Sequence, residues 1–153
     1  MKIKLLIMPL LLVAMLTSCQ PAQSEQMSQN ITSVDVNTYP HIDWIDCFNQ
    51  KDEDYLIFFY SNTCEQCHEI MEDVYRFVDD NVMTLYFVNI KECSVTVPIK
   101  NNIEDTIGMK DIDDLFIKGT PSIIEIKEAT VVANIPGKSN CLTFLNDQRL
   151  PQS

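Results

Sequence analysis

Glycine is scarce in this chain, three residues in 153, and so is positive charge, with 11 Lys and Arg against 22 Asp and Glu. So few glycines, together with a hydrophobic share of 46%, exclude collagen-like, low-complexity and wholly disordered architectures. A net charge of −11 repels phosphate backbones and removes the main source of nucleic-acid affinity. The same sign opposes adsorption to anionic lipid, so attachment to a membrane needs an apolar or covalent anchor. Internal repeats are absent, and the length suits one ordinary core and is too short for two.

An anchor is present at the start. Lys2 and Lys4 precede a mostly apolar run over residues 5–16, broken only by Pro9. That run is shorter than the roughly 20 residues that span a bilayer but has the length of a secretory h-region. It reads as a signal peptide, residues 1–18. The following Leu16-Thr17-Ser18-Cys19 resembles the lipobox of bacterial lipoproteins, in which small residues precede a cysteine that is diacylated and becomes the new N-terminus. The resemblance makes Cys19 the lipid attachment site, with an ordinary secreted protein as the alternative. It implies an extracytoplasmic protein held on the bacterial cell membrane. Residues 19–30, rich in Gln and Ser with Met27 the one large apolar side chain, form a lipidated flexible tether.

From residue 31 to 153 the pattern is that of one α/β domain. Residues 31–36 suit a strand and residues 41–49 a short helix. Residues 55–60 (YLIFFY) are apolar throughout and rich in aromatic and β-branched types, as in a strand buried on both faces. A helix follows over 65–80, with Ile70, Met71, Val74, Phe77 and Val78 on one face. Residues 83–90 form a second buried strand, residues 110–116 a further short helix, and 122–127 with 130–135 a hairpin. Pro136-Gly137 breaks the chain, and Ser139 is placed to cap a final helix through Asn146. The expected architecture is a mixed sheet of four or five strands flanked by helices.

The chemistry-bearing residues lie where the first strong strand ends, Ser61-Asn62-Thr63-Cys64-Glu65-Gln66-Cys67-His68. A Cys-x-x-Cys opening a helix puts its first thiol at the helix N-terminus, where unpaired N–H groups favour the thiolate, and its second thiol one turn away. This strand, cysteine pair and helix resemble the thioredoxin family over about residues 31–146. Lys118-Gly119-Thr120-Pro121-Ser122 matches the family's cis-proline segment. The resemblance implies Cys64 as the attacking cysteine, Cys67 as the resolving one, Pro121 as the cis-proline and Thr120 as the residue whose backbone pairs with bound substrate. It implies a thioredoxin-like fold, no dissociable cofactor, protein thiols or disulfides as substrates, and an electron-donating membrane or periplasmic partner.

Three departures stand out. Phe58 occupies the position where thioredoxin carries a buried Asp, the dipeptide between the cysteines is Glu65-Gln66, and residues 91–108 resemble an insertion. The Glu65 carboxylate opposes a Cys64 thiolate that the helix terminus favours by about 0.3–1 kcal/mol, so the pair is expected to be a reductant.

Other readings use the same residues. Cys64 to His68 also fits the Cys-x-x-Cys-His pattern of haem attachment, against which the strands at 55–60 and 83–90 argue. A zinc site on Cys64, Cys67 and His68 lacks a partnering second pair. A non-catalytic thioredoxin fold serving an envelope or transporter complex is the remaining rival. His68 either tunes Cys64 or faces solvent. Cys47, Cys93 and Cys141 are an odd set, read either as a Cys93–Cys141 disulfide plus one thiol or as three packed thiols.

Overall fold

The computed structural model describes residues 38–150. The signal peptide and tether expected from the sequence, with Cys19, the strand expected at 31–36 and residues 151–153, lie outside them.

Four strands, β1 (Asp54–Tyr60), β2 (Leu85–Asn89), β3 (Ser122–Lys127) and β4 (Thr130–Pro136), form one sheet in the order β2-β1-β3-β4. β1 runs parallel to β2 and antiparallel to β3, which pairs antiparallel with β4. Along the outer edge of β2 the chain at His41 makes a parallel bridge to Phe87, with Ile42 N–H and Phe87 N–H each bonded across at 2.9 Å. This short stretch covers part of an otherwise open edge.

β1 is buried on both faces because its two faces serve two different cores. Leu56, Phe58 and Tyr60 point to one side and meet Leu85, Phe87 and Ile123. Helices α1 (Glu65–Asp79) and α2 (Lys138–Gln148) cover that side with Cys67, Ile70, Val74 and Phe77 from α1 and Cys141 and Leu145 from α2. The spacing 67, 70, 74, 77 is one stripe of a 3.6-residue helix, as the sequence pattern required. Arg149 joins the helices, its guanidinium 3.1 Å from Asp80 and 5.5 Å above the Phe77 ring.

Tyr55, Ile57 and Phe59 point to the opposite side, where Tyr86, Val88, Ile124 and Ile126 continue the apolar surface. No long helix covers this face among the described residues. Trp44, Val97, Leu115 and Ile117 do so from irregular chain and a 3-10 turn at Trp44–Asp46. The helix expected at 41–49 is therefore one short turn, because residues 40–42 are drawn into pairing with Phe87 and the Asp43 side chain caps the remainder. The helix expected at 110–116 does not form. Asp113 N–H bonds to the Asp111 carboxylate at 3.1 Å, an Asx turn that competes with helix, while Leu115 and Ile117 still reach the core. The segment that read as an insertion contributes a 3-10 turn at Ile103–Thr106 and a bridge from Ile99 to Ile117.

α2 starts one residue before Ser139, which lies inside it and caps nothing. The N-cap is Gly137 at φ 86° and ψ 151°, a region essentially confined to glycine, with its N–H bonded to the Pro121 carbonyl at 2.7 Å. No heavy atom would meet an added Cβ within 4 Å, so the penalty of a side chain there is conformational. Gly137→Ala is expected to lower stability by about 1–3 kcal/mol in urea unfolding. A change below about 0.5 kcal/mol would contradict this account of the α2 start.

Candidate active site

β1 delivers its C-terminal end to a turn built from its own side chains. Thr63 N–H bonds to Ser61 Oγ at 3.3 Å, the two hydroxyls lie 3.1 Å apart, and Cys64 N–H reaches the Ser61 carbonyl at 3.1 Å. Cys64 thereby becomes the N-cap of α1, in extended conformation, and its Sγ accepts the Cys67 N–H at 3.1 Å. Cys64 and Cys67 form a disulfide with Cα atoms 5.2 Å apart. Cys67 is fully buried while Cys64 is half-buried. An incoming thiolate therefore meets Cys64, and the same N–H and helix terminus that contact its sulfur stay in place to hold a thiolate there.

The strand register brings Thr120 and Pro121 to the same end of the sheet. Ser122 pairs with Phe59, so the two residues before it flank the end of β1 at Tyr60. The Thr120–Pro121 bond is cis. A cavity of about 310 Å³ opens beside them, lined by Lys118, Gly119, Thr120, Pro121, Pro136 and Gly137. The Thr120 backbone makes no hydrogen bond to another backbone group among the described residues. An ion pair between Lys138 at the head of α2 and Glu69 on α1 closes the same side of the molecule. His68 is exposed, and its ring has no hydrogen-bond partner among the described residues.

No family model matches the chain, and no curated protein matches it. Among solved structures, thioredoxin f2 of Chlamydomonas reinhardtii superposes with a TM-score of 0.51 at 19% identity, over 74% of this chain and 99% of its own. The fold is the thioredoxin fold. A structure of the thiol-resolving mechanism in yeast mitochondrial 1-Cys peroxiredoxin via glutathione/thioredoxin systems matches with a TM-score of 0.50 at 11% identity. That match covers 72% of this chain and 96% of the other.

Within the thioredoxin fold this chain has an apolar floor beneath the cysteines. Phe58 is fully buried and stacks with Tyr60, ring centroids 6.0 Å apart. Glu125, the one buried carboxylate among the described residues, pairs with Leu56 four residues back along β1 and is neutralised by Lys127 at 2.8 Å. It is too far down the strand to serve the disulfide.

Sequence reasoning placed Tyr60 in the core and overlooked its hydroxyl, which lies 3.0 Å from His41 Nε2. His41 Nδ1 lies 2.9 Å from the Tyr39 carbonyl, which can only accept, so in neutral His41 the proton is on Nδ1 and Nε2 accepts from Tyr60. Burial, with a smaller contribution from Glu92, pushes the Tyr60 hydroxyl up to about 12 and keeps it a donor. Nineteen residues separate the partners, and no motif connects them. Another unforeseen link joins the cysteine loop to the chain after β2, Asn62 Nδ2 donating to Glu92 Oε1 at 3.0 Å.

The three other cysteines among the described residues are free thiols, so the Cys93–Cys141 disulfide does not form. The sheet lies between them. Cys141 packs with the α1-side core, donating to the Ile135 carbonyl at 3.3 Å, and burial raises its thiol to about 12. Cys47 and Cys93 belong to the opposite core. Cys93 does lie at the Cys64 end of the sheet, as the parallel strand order implied, but on the other face.

Proposed function

We propose that the chain is a membrane-anchored, extracytoplasmic thiol-disulfide oxidoreductase that reduces disulfides of exported proteins. The observation that carries the reading is the asymmetry of the pair: an accessible Cys64 sulfur at a helix N-terminus with Cys67 fully buried behind it. In the reduced enzyme the Cys64 thiolate attacks one sulfur of a substrate disulfide, and the other substrate sulfur leaves as a thiolate and takes a proton. Cys67 then gives up its proton and attacks the Cys64 sulfur, forming the enzyme disulfide and releasing the second substrate thiol. The unpaired backbone of Thr120 is available to hold the substrate chain in extended form beside Pro121. Electrons return from a membrane or periplasmic donor that reduces Cys64–Cys67.

Reduction is the preferred direction because nothing basic lies between the cysteines, and the exposed His68 ring one turn along makes no hydrogen bond to the Cys64 sulfur. Glu65 opens the helix with an opposing charge, and the nearest lysine of α2, Lys138, is engaged by Glu69. Strong oxidants of this chemistry stabilise their thiolate far more and lie near about −120 mV, against about −270 mV for thioredoxin. A glutathione titration of the chain, following Cys64 and Cys67 by differential alkylation, is expected to place the pair below about −170 mV. A higher potential would replace reductase with oxidase or isomerase.

Anchoring rests on Lys2, Lys4, the apolar run of residues 5–16 and Cys19 behind Thr17-Ser18. Cys19→Ala is expected to move the protein from the detergent-soluble membrane fraction to the medium or periplasm, or to leave it unprocessed. A processed variant that stays on the membrane would overturn the lipid anchor.

A further inference from the structure

The cavity beside Thr120 and Pro121 has a charge opposite to that of the chain. Lys118 is the one charged residue that lines it, and no carboxylate does. The Lys118 side chain is exposed, and its ammonium enters no ion pair among the described residues. In a chain of net charge −11 the other cavities differ. One of about 360 Å³ at the far end of β1 is lined by Asp52, Glu53 and Glu128 against Lys51, and one of about 210 Å³ near Asn89 by Asp43 and Glu92. A lone cation in a concave wall draws anions to the site it borders.

The backbone that carries Lys118 is fixed on both sides. Ile117 N–H donates to the Pro98 carbonyl at 3.1 Å, and the Ile117 carbonyl accepts the Lys100 N–H at 3.0 Å. The Gly119 carbonyl accepts the Ser122 hydroxyl at 2.6 Å, and the Pro121 carbonyl accepts the Gly137 N–H at 2.7 Å. Those carbonyls are taken and Pro121 has no N–H, so the Thr120 backbone is left free to pair with a substrate chain. Lys118 sits two residues before Thr120, about 7 Å along the chain, and its four-carbon stem spans that distance. The other flank of the site is negative, because the exposed Glu65 opens α1 next to Cys64 and Lys138 is held by Glu69. A carboxylate adjoining a substrate's reacting cysteine therefore meets Glu65, whereas one two or three residues away on the Thr120 side meets Lys118.

We propose that Lys118 is a specificity-determining residue, selecting substrate disulfides that carry Asp or Glu two or three residues from the reacting cysteine. The proposal rests on the oxidoreductase reading of Cys64 and adds no step to it. The same thiolate attack takes place on a chain that the Lys118 ammonium holds by an ion pair at the cavity wall. Because that pair is open to solvent, the preference is severalfold rather than absolute, and salt screens it.

The test uses the full chain, reduced and freed of reductant, with two disulfide-linked peptide dimers. Each peptide is a short unstructured chain with a single cysteine, and the residues two and three positions to either side are Asp in one peptide and Asn in the other. Peptide thiol released in a single turnover is read by acid quench and chromatography at about 150 mM salt. Each rate is divided by that of dithiothreitol with the same peptide, which removes differences in the peptides' own reactivity. The Asp peptide is expected to react at least about threefold faster than the Asn peptide. That ratio should fall to about one in Lys118→Gln, drop below one in Lys118→Glu and persist in Lys118→Arg. A substitution that merely disturbed folding or the Cys64 thiolate would slow both peptides alike and leave the ratio where it was. A wild-type ratio of one or below, or a ratio that Lys118→Gln leaves unchanged, would overturn the proposal with the oxidoreductase reading intact. Failure of the wild-type chain to reduce either peptide would remove that reading and the selectivity with it.

Discussion

Cys64→Ser is expected to reduce turnover of a protein disulfide to the uncatalysed background. The loss should be at least about a thousandfold, or more than about 4 kcal/mol on the barrier. Only a thiolate is an effective nucleophile toward a disulfide, and a serine hydroxyl has no appreciable anion at neutral pH. Cys67 cannot substitute, because its sulfur is fully buried behind the first turn of α1. Cys67→Ser should behave differently: the first attack survives, the resolving attack does not, and substrate accumulates on Cys64 as a mixed disulfide visible on a non-reducing gel. Insulin reduction monitored by turbidity would give the rates. Full activity of Cys64→Ser would remove the oxidoreductase reading.

Phe87→Ala should have the largest effect on stability. Phe87 is fully buried in β2, and its ring centroid lies 5.3–6.4 Å from those of Tyr39, His41, Phe58, Tyr60 and Tyr75. It joins α1, β1 and the chain at His41 in one apolar contact. Deleting it removes the burial of a phenyl ring and leaves a cavity that rigid neighbours cannot fill, a loss of about 3–5 kcal/mol. Against a usual total of about 5–15 kcal/mol this is a large fraction. At about 4 °C per kcal/mol for a domain of this size, the melting temperature should fall by about 12–20 °C. Val132→Ala on β4, where the side chain is 41% exposed, should shift stability by no more than about 0.5 kcal/mol. A Phe87→Ala loss below about 1 kcal/mol, measured in urea, would mean that the ring cluster is not a structural hub.

Local pattern was sufficient wherever one short stretch of chain decides its own structure. The run from Tyr55 to Tyr60 forms a strand because every side chain in it is apolar or aromatic, and a strand with two buried faces needs that composition. The Cys64 position at the head of α1 follows from residues close to it in sequence: Ser61 and Thr63 make the turn, and the apolar stripe that starts at Cys67 sets the helix. The hairpin from β3 to β4 is equally local, since only Glu128 and Ala129 separate the two strands. By contrast, periodicity misled at 110–116. Ile112 and Leu115 are spaced for a helix, but they reach the core from a turn stabilised by Asp111. Ser139 looked like a cap, yet Gly137 starts the helix because its N–H is claimed by Pro121, sixteen residues earlier.

Residue types and their spacing along the chain were enough to establish an α/β chain, a cysteine pair at the end of its central strand, and a Thr-Pro step at the start of a later one. Only the tertiary structure decided that the sheet runs β2-β1-β3-β4 and that the Ser122–Phe59 register sets Thr120 and Pro121 beside the end of β1. It alone put Cys93 with Cys47 and the sheet between them and Cys141, joined His41 to Tyr60, and left Asn89 with a buried, unpaired donor. The physical reason is one of range. Strand and helix formation respond to side chains two to four positions apart, which sequence displays directly. Contacts between residues 19, 30 or 46 positions apart depend on which faces the sheet turns toward each other, and that follows from packing of the whole core.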